Sequence, residues 1–216
     1  MNGILIINKP VGVSSFYYMK KVQKKLNLPK VGHLGTLDPL ADGVLVLLCG
    51  RATKLNQELS AKTKTYQSTF TFGIETTTLD SEGEVVATSD VIPTVEQIQS
   101  ELKNLVGELQ VQVPKFSAVH INGKRAYDLA RQGVDFVPPT KTMTIHRFEL
   151  IKESPFVFEI ECSTGTYIRS LAQLLAGRLG TVAIASTITR TRIGDWDIKE
   201  SKNLEDVTID DIACIS

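Results

Sequence analysis

Apolar residues run together in some stretches of this chain and alternate with polar ones in others, and the two patterns predict different elements. Ile4-Leu-Ile-Ile7 reads as a short strand, and Val44-Leu-Val-Leu-Leu-Cys49 is an unbroken apolar run that predicts a strand buried on both faces. Residues 66–73 set Tyr66, Ser68, Phe70 and Phe72 against Gln67, Thr69 and Thr71, the period of a half-buried strand. Residues 157–162 read as another. Helical spacing joins Met19, Val22 and Leu26 behind a cap at Ser14 or Ser15, leaving Lys20, Lys21, Lys24 and Lys25 largely off the apolar stripe. It recurs in Ile98, Leu102 and Leu105 behind Thr94, and in Ile168, Leu171, Leu175 and Leu179 between Tyr167 and Gly180. Residues 127–131 predict a short helix stopped by Gly133. Asn122-Gly123 suits a hairpin turn, and Asp80-Ser-Glu-Gly83 is a turn signal before residues 84–87. Strands outnumber crossover helices and hairpin signals join several of them. An α+β fold follows, with helices packed on a mixed, mainly antiparallel sheet.

With 216 residues and 42% hydrophobic content, the chain can bury the core of one domain, or of a domain with a sizeable insertion. No apolar run reaches the length of a membrane span, and the first residues lack the basic start and cleavage site of a secretion signal. Cys49, Cys162 and Cys214 are odd in number and far apart, which points to a reduced, cytoplasmic, metal-free protein. Net charge is zero, yet residues 1–64 hold ten Lys and Arg against three acids, a net +7 that leaves −7 on the rest. Such asymmetry fits a basic binding face on an otherwise acidic body, and equally a solvated basic surface.

Candidate chemistry centres on Lys30-Val-Gly-His-Leu-Gly-Thr-Leu-Asp-Pro-Leu-Ala-Asp-Gly43, which sets one carboxylate, Asp38, in a glycine-rich frame. Gly32, Gly35 and Gly43 permit tight turns and close approach of a large ligand. Pro39 biases Asp38 towards extended backbone, and the same Asp-Pro pair is a common helix start, so spacing leaves a cap and a reactive group both open. Further strings accompany it: Asn8-Lys-Pro-Val-Gly-Val-Ser-Ser15, Gly50-Arg-Ala-Thr-Lys-Leu55, Lys64-Thr-Tyr66, Phe116-Ser-Ala118, Asn122-Gly-Lys-Arg-Ala-Tyr-Asp-Leu-Ala-Arg131 and Cys162-Ser-Thr-Gly-Thr-Tyr-Ile-Arg169. Together they closely resemble the motifs of the TruB-type tRNA pseudouridine synthases, in the family's order and over nearly the whole chain.

The resemblance implies the pseudouridine synthase fold, a long curved sheet with flanking helices, an active-site cleft across its middle and an insertion at about residues 113–142 that clasps an RNA stem-loop. It implies one catalytic domain over residues 1–216, without the small RNA-binding C-terminal module of PUA type that many members carry. The activity implied is isomerisation of the T-loop uridine (position 55) of tRNA. The base is flipped from its stack, its bond from N1 to the ribose is broken, and it is rejoined through C5. Such chemistry needs an ionised carboxylate and neither a metal nor an organic cofactor. Asp38 matches that carboxylate, Arg169 the guanidinium that keeps it charged, and Tyr66 the aromatic that stacks on the base and whose hydroxyl is a candidate for the C5 proton. Tyr167 matches a second wall of the site, Ile188 an aliphatic contact to the base, and His33 the ring that fills the space left by flipped nucleotides. Lys20, Lys21, Lys24, Lys30, Lys64, Lys124 and Arg125 are the expected phosphate contacts, which position RNA without specifying sequence. The expected partner is the tRNA T stem-loop, with no obligate protein partner and a monomeric state.

Departures from the family pattern fall on the clasp and the loop rim: a single proline at Val113-Pro114, Phe116 for a frequent tyrosine, His120 for a common lysine, and Asp42 where a small or hydroxylated residue is usual. Two other readings remain. A non-catalytic tRNA-binding or RNA-folding protein could use the same scaffold. A hydrolase or phosphotransferase using Asp38 covalently would need a phosphate cradle or metal-ligand spacing, and the sequence offers neither.

Overall fold

A computed structural model describes residues 2–121 and 123–214. Asn122, the first residue of the expected hairpin turn, lies outside them. In chain order come strand β1 (Gly3–Lys9), helix α1 (Ser15–Lys25), strands β2 (Val31–Leu34) and β3 (Asp42–Cys49), helix α2 (Asn56–Ser60) and strands β4 (Lys64–Phe72), β5 (Ile74–Thr76) and β6 (Val85–Thr88). Helix α3 (Val95–Leu102) and strands β7 (Gly107–Gln112), β8 (His120–Ile121) and β9 (Lys124–Arg125) follow, then helix α4 (Ala126–Arg131) and strands β10 (Thr140–Glu153) and β11 (Phe156–Cys162). Helix α5 (Ile168–Arg178) and strands β12 (Ala183–Ile193), β13 (Trp196–Asp197) and β14 (Ala213–Cys214) complete the chain. No helix among the described residues is long and apolar enough to cross a membrane. The chain divides into two compact units, residues 1–67 with 188–216 and residues 68–187, with β4 and β12 contributing to both.

In the first unit the strands run β14-β1-β3-β12-β4, with β2 added to β3 and β13 to β12. Strand β1 pairs antiparallel with β3 along its length, from Gly3 opposite Cys49 to Lys9 opposite Gly43. As its apolar run predicts, β3 is buried on both faces. Leu45, Leu47 and Cys49 join a cluster with Leu5, Ile7, Tyr18, Met19 and Val22, while Val44, Val46 and Leu48 pack with Leu34, Ala52 and Ile193. Each such side chain contributes about 1.5–3 kcal/mol relative to exposure, so β3 anchors whatever its ends carry. Helix α1 starts where expected: the Ser14 hydroxyl accepts from the Tyr17 amide at 3.2 Å, and Tyr18, Met19 and Val22 face the core.

In the second unit the order is β12-β4-β11-β10-β7. Phe70, Phe148 and Phe158 form its aromatic centre, with ring centroids 4.6, 5.5 and 6.2 Å apart. Helix α3 packs on β10, and α5 on β7 and α3. The α3 cap is reciprocal, because the Thr94 hydroxyl and the Gln97 side chain each take the other's backbone amide.

Both units are mainly antiparallel, as the alternation and hairpin signals imply. Two of the longest strands, however, lie outside the predicted elements. Strand β10 hides because its register shifts between Ile145 and Arg147 and again between Leu150 and Lys152, so its buried residues lose the period of two. Strand β12 hides because a core position is filled by Arg190, which is only 1% exposed. Strand β2 falls within the stretch read as a glycine loop.

Candidate active site

Asp38 sits in the loop between β2 and β3, half-buried, and its main chain is fixed from several directions. Buried Ser15, the first residue of α1, donates its hydroxyl to the Leu37 carbonyl at 2.9 Å and accepts from the Leu37 amide at 2.8 Å. Gly12 donates to the Pro39 carbonyl at 2.8 Å, and Ala41 closes a turn on the Asp38 carbonyl at 3.1 Å. Pro39 therefore opens a turn rather than a helix. Buried Arg190 bridges the two sides of the loop, with Nε on the Val44 carbonyl at 2.9 Å and Nη2 on the Gly35 carbonyl at 3.0 Å. Gly43, at φ 99°, passes so close to the Arg190 main chain that a Cβ would collide with it. At Gly35, with φ 62°, a Cβ would lie 3.3 Å from Arg190 Nη1 and 3.4 Å from Lys64 Cε. Only glycine suits both positions.

A second buried cation, Lys9, donates to the Pro10 and Val13 carbonyls at 2.8 Å each. Burial lowers its pKa to about 8, against the attraction of Asp42 and then Asp38, while Arg190 lowers it further. Asp42, the departure at the loop rim, is thus the acid that most offsets Lys9. Between pH 8 and 10.5 folded Lys9 releases its proton while the unfolded chain keeps it, so stability contributed by this group rises with pH across that window. A Lys9→Met variant, compared with wild type by urea unfolding, should lack that rise. A difference between the two that stays constant over the window would contradict it.

Strand β4 buries Lys64 and Tyr66 on one face. The placement corrects the expectation for Lys64: it is 4% exposed, with its ammonium on the Ser60 and Lys62 carbonyls at 3.0 and 2.8 Å rather than facing solvent for a phosphate. His33 lies on β2 opposite Leu47, and its buried Nδ1 has no hydrogen-bond partner among the described residues. Desolvation, then Arg190, lowers its pKa, which favours the neutral ring. Buried Ile188 lies on β12, next to Thr189, which pairs with Asp42. Lys20, Lys21, Lys24 and Lys30 are exposed in this unit; Lys124 and Arg125 are exposed in the second, on the short β8–β9 hairpin.

Tyr167 and Arg169 belong to the second unit, at the start of α5. Arg169 lies off the apolar stripe, as expected, but it is buried at 4% exposure because an acid is buried with it. Its Nη1 meets Asp80 Oδ2 at 3.2 Å and the Thr78 carbonyl at 2.8 Å, and its Nη2 donates to the Phe116 carbonyl at 3.0 Å. Asp80 is 2% exposed, and its Oδ1 accepts from the Thr78 hydroxyl and, at 3.0 Å, from the Glu82 amide. Leu79 beside it adopts φ 62°, a left-handed conformation that costs a leucine about 1–2 kcal/mol and persists only where its neighbours enforce it.

The model of the TruB family pseudouridylate synthase (N-terminal domain) matches residues 23–168. Over 98% of this chain and 74% of its own length, the tRNA pseudouridine synthase B of Caldicellulosiruptor saccharolyticus is 43% identical. The chain belongs to the TruB family. The synthase of the same name from Borreliella burgdorferi is 41% identical over 96% of this chain and 75% of its own. Among solved structures, one chain from a Cbf5–Nop10–Gar1 complex superposes with a TM-score of 0.73 at 28% identity, covering 94% of this chain and 53% of that one. Another, from an H/ACA RNP bound to a substrate RNA containing 2′-deoxyuridine, gives 0.70 at 26% identity, covering 94% and 51%. This TruB family chain thus spans about half the length of those solved chains and about three quarters of its curated relatives.

Sequence reasoning missed four residues that hold these side chains and loops within their units. Lys9 and Ser15 stand inside the Asn8–Ser15 string that carries the family resemblance, so a signal existed without a role attached. Arg190 follows Ile188 by two residues in a strand the pattern does not reveal. Asp80 reads as a turn former, and nothing local ties it to an arginine so distant in sequence.

Proposed function

We propose that this protein isomerises the T-loop uridine at position 55 of tRNA to pseudouridine, acting as a monomer in the cytoplasm. Supporting this most directly is one observation: Asp38 rides on a loop whose main chain is clamped by Ser15, Gly12 and Arg190, so the carboxylate is presented in one place. Prior positioning of a reactive group removes much of the entropic barrier to a single displacement. In the reaction the bond from N1 to C1′ breaks, the base turns, and a bond forms between C5 and C1′. N1 gains a proton and C5 loses one, so the balance closes without oxidant, water or phosphate. Asp38 serves as nucleophile or base. Arg169, held on Asp80, lowers the cost of keeping that carboxylate charged beside a bound base. Tyr66 stacks on the base and offers its hydroxyl for the C5 proton, with Tyr167 and Ile188 as further walls and neutral His33 as the ring that replaces flipped nucleotides.

The deciding experiment incubates the protein with unmodified tRNA and maps pseudouridine at single-nucleotide resolution. Modification at position 55 alone is expected; modification elsewhere, or none, would overturn the reading. Tyr66→Phe should retain RNA affinity and lose most turnover, because only the hydroxyl is removed. Wild-type rates in that variant would reduce Tyr66 to a stacking surface.

Lys20, Lys21 and Lys24 are all exposed on α1, a helix without a single acid. RNA affinity should fall with salt by about 0.7–0.9 log units per neutralised phosphate per log unit of salt. Replacing the three by glutamine should flatten that slope without changing which uridine is modified. An unchanged slope would place the RNA on another face.

A further inference from the structure

Phe16 and Tyr17 open helix α1 with their rings in water, 60% and 51% exposed, while Tyr18 and Met19 take the core positions. Two large aromatics side by side on a first helical turn do nothing for the core of this unit. Each is paired with a cation one turn on: the Lys20 ammonium lies 5.5 Å from the Phe16 ring centre and the Lys21 ammonium 4.9 Å from that of Tyr17. Lys24 and Lys25 continue the positive charge, and no acid interrupts the helix.

The position of this aromatic and basic face matters as much as its composition. Phe16 follows Ser15 directly, and Ser15 holds Leu37, the residue before Asp38, through both its amide and its carbonyl. On the other side of Ser15, Gly12 holds Pro39. The exposed rings therefore start one residue from the clamp on the catalytic loop. Proteins that hold unpaired nucleotides combine these two elements, aromatic faces on which bases stack and cations that follow the phosphates.

We propose that Phe16 and Tyr17 form a stacking platform for unpaired nucleobases of the substrate RNA that neighbour the uridine delivered to Asp38. The proposal rests on the reading of this chain as an RNA-modifying isomerase and adds a binding subsite to it. Lys20 and Lys21 hold the adjoining phosphates while the rings take the bases. A second copy of this chain is the less suitable occupant, because two acid-free lysine helices brought face to face repel one another. Stacking has a property that phosphate contacts lack: it releases no counterions, so its contribution does not vary with salt.

The test compares wild type with a Phe16→Ser, Tyr17→Ser double variant on an unmodified T-arm stem-loop RNA. Because both rings are exposed, the variant should unfold at the same urea concentration as wild type. RNA dissociation constant and KM should each rise at least about tenfold, the lower part of the range for a lost base–aromatic stack. The turnover number at saturating RNA should stay within about threefold, and the loss in affinity should be the same at about 50 and 200 mM salt. An RNA carrying 4-thiouridine next to the target should cross-link to residue 16 or 17. Affinity within twofold of wild type, or cross-links only elsewhere, would overturn the platform. So would a wild-type protein that self-associates through these rings and dissociates in the variant without change in RNA affinity. Should wild type make no pseudouridine, the isomerase reading fails, while the binding and cross-linking comparison still decides the platform.

Discussion

Asp38→Asn should reduce pseudouridine formation by at least about three orders of magnitude, or about 4 kcal/mol of barrier, while RNA affinity stays within a few-fold. The substitution preserves shape and removes the ionisable group. Loop geometry should survive it, because the clamps of Ser15, Gly12 and Arg190 act on main-chain groups: the Gly35, Leu37 and Pro39 carbonyls and the Leu37 amide. Single-turnover assays with excess enzyme separate this from a binding defect. A small loss of stability should accompany it, since Asp38 is one of two acids that offset the buried ammonium of Lys9. Activity above a tenth of wild type would remove Asp38 from the chemistry, however well it is presented.

How much of this was legible in the sequence depends on whether the forces involved are local. The apolar run at Val44–Cys49 and the alternation through Tyr66 are one-dimensional records of burial, and β3 and β4 stand where those patterns put them. The caps at Ser14 and Thr94 are equally local. Buried charge leaves no such record. Lys9, Lys64, Asp80, Arg169 and Arg190 are all buried polar residues in this protein, and each reads on its own as a surface residue. What makes them buriable is a partner fixed by the fold: carbonyls at and just after the end of helix α2 for Lys64, a loop carbonyl for Arg190, an acid on another turn for Arg169. Family motifs compensated in part, since they marked Asp38, Tyr66 and Arg169 by type. They attached no role to the residues that hold these in place, and for Lys64 they led to a surface role that its burial contradicts.

Asp80→Asn is the sharpest test of that holding layer. Asp80 and Arg169 form an ion pair with side chains only 3% and 5% exposed, where removal of one charge costs about 3–5 kcal/mol because the other is left buried without compensation. Asparagine also fails on geometry. Oδ1 of Asp80 accepts from Thr78 and Glu82, so an amide oxygen would be retained there and the amide nitrogen would face Arg169 Nη1, donor against donor. The guanidinium would keep the Thr78 and Phe116 carbonyls and lose the contact that fixes its charge. Unfolding in urea should therefore shift to lower concentration by an amount matching a few kcal/mol, and turnover should fall by at least about a hundredfold at a temperature where the variant remains folded. A purely structural role for Asp80 would move only the first of these. Combining Asp80→Asn with Arg169→Lys separates the two cases, because residues acting as one unit lose little more together than singly. Lysine keeps the charge but not the planar fork that meets Asp80 and two carbonyls at once. Turnover losses that simply multiply in the double variant would show that Asp80 and Arg169 act separately, and that the pair seen here is not what prepares Arg169 for its work.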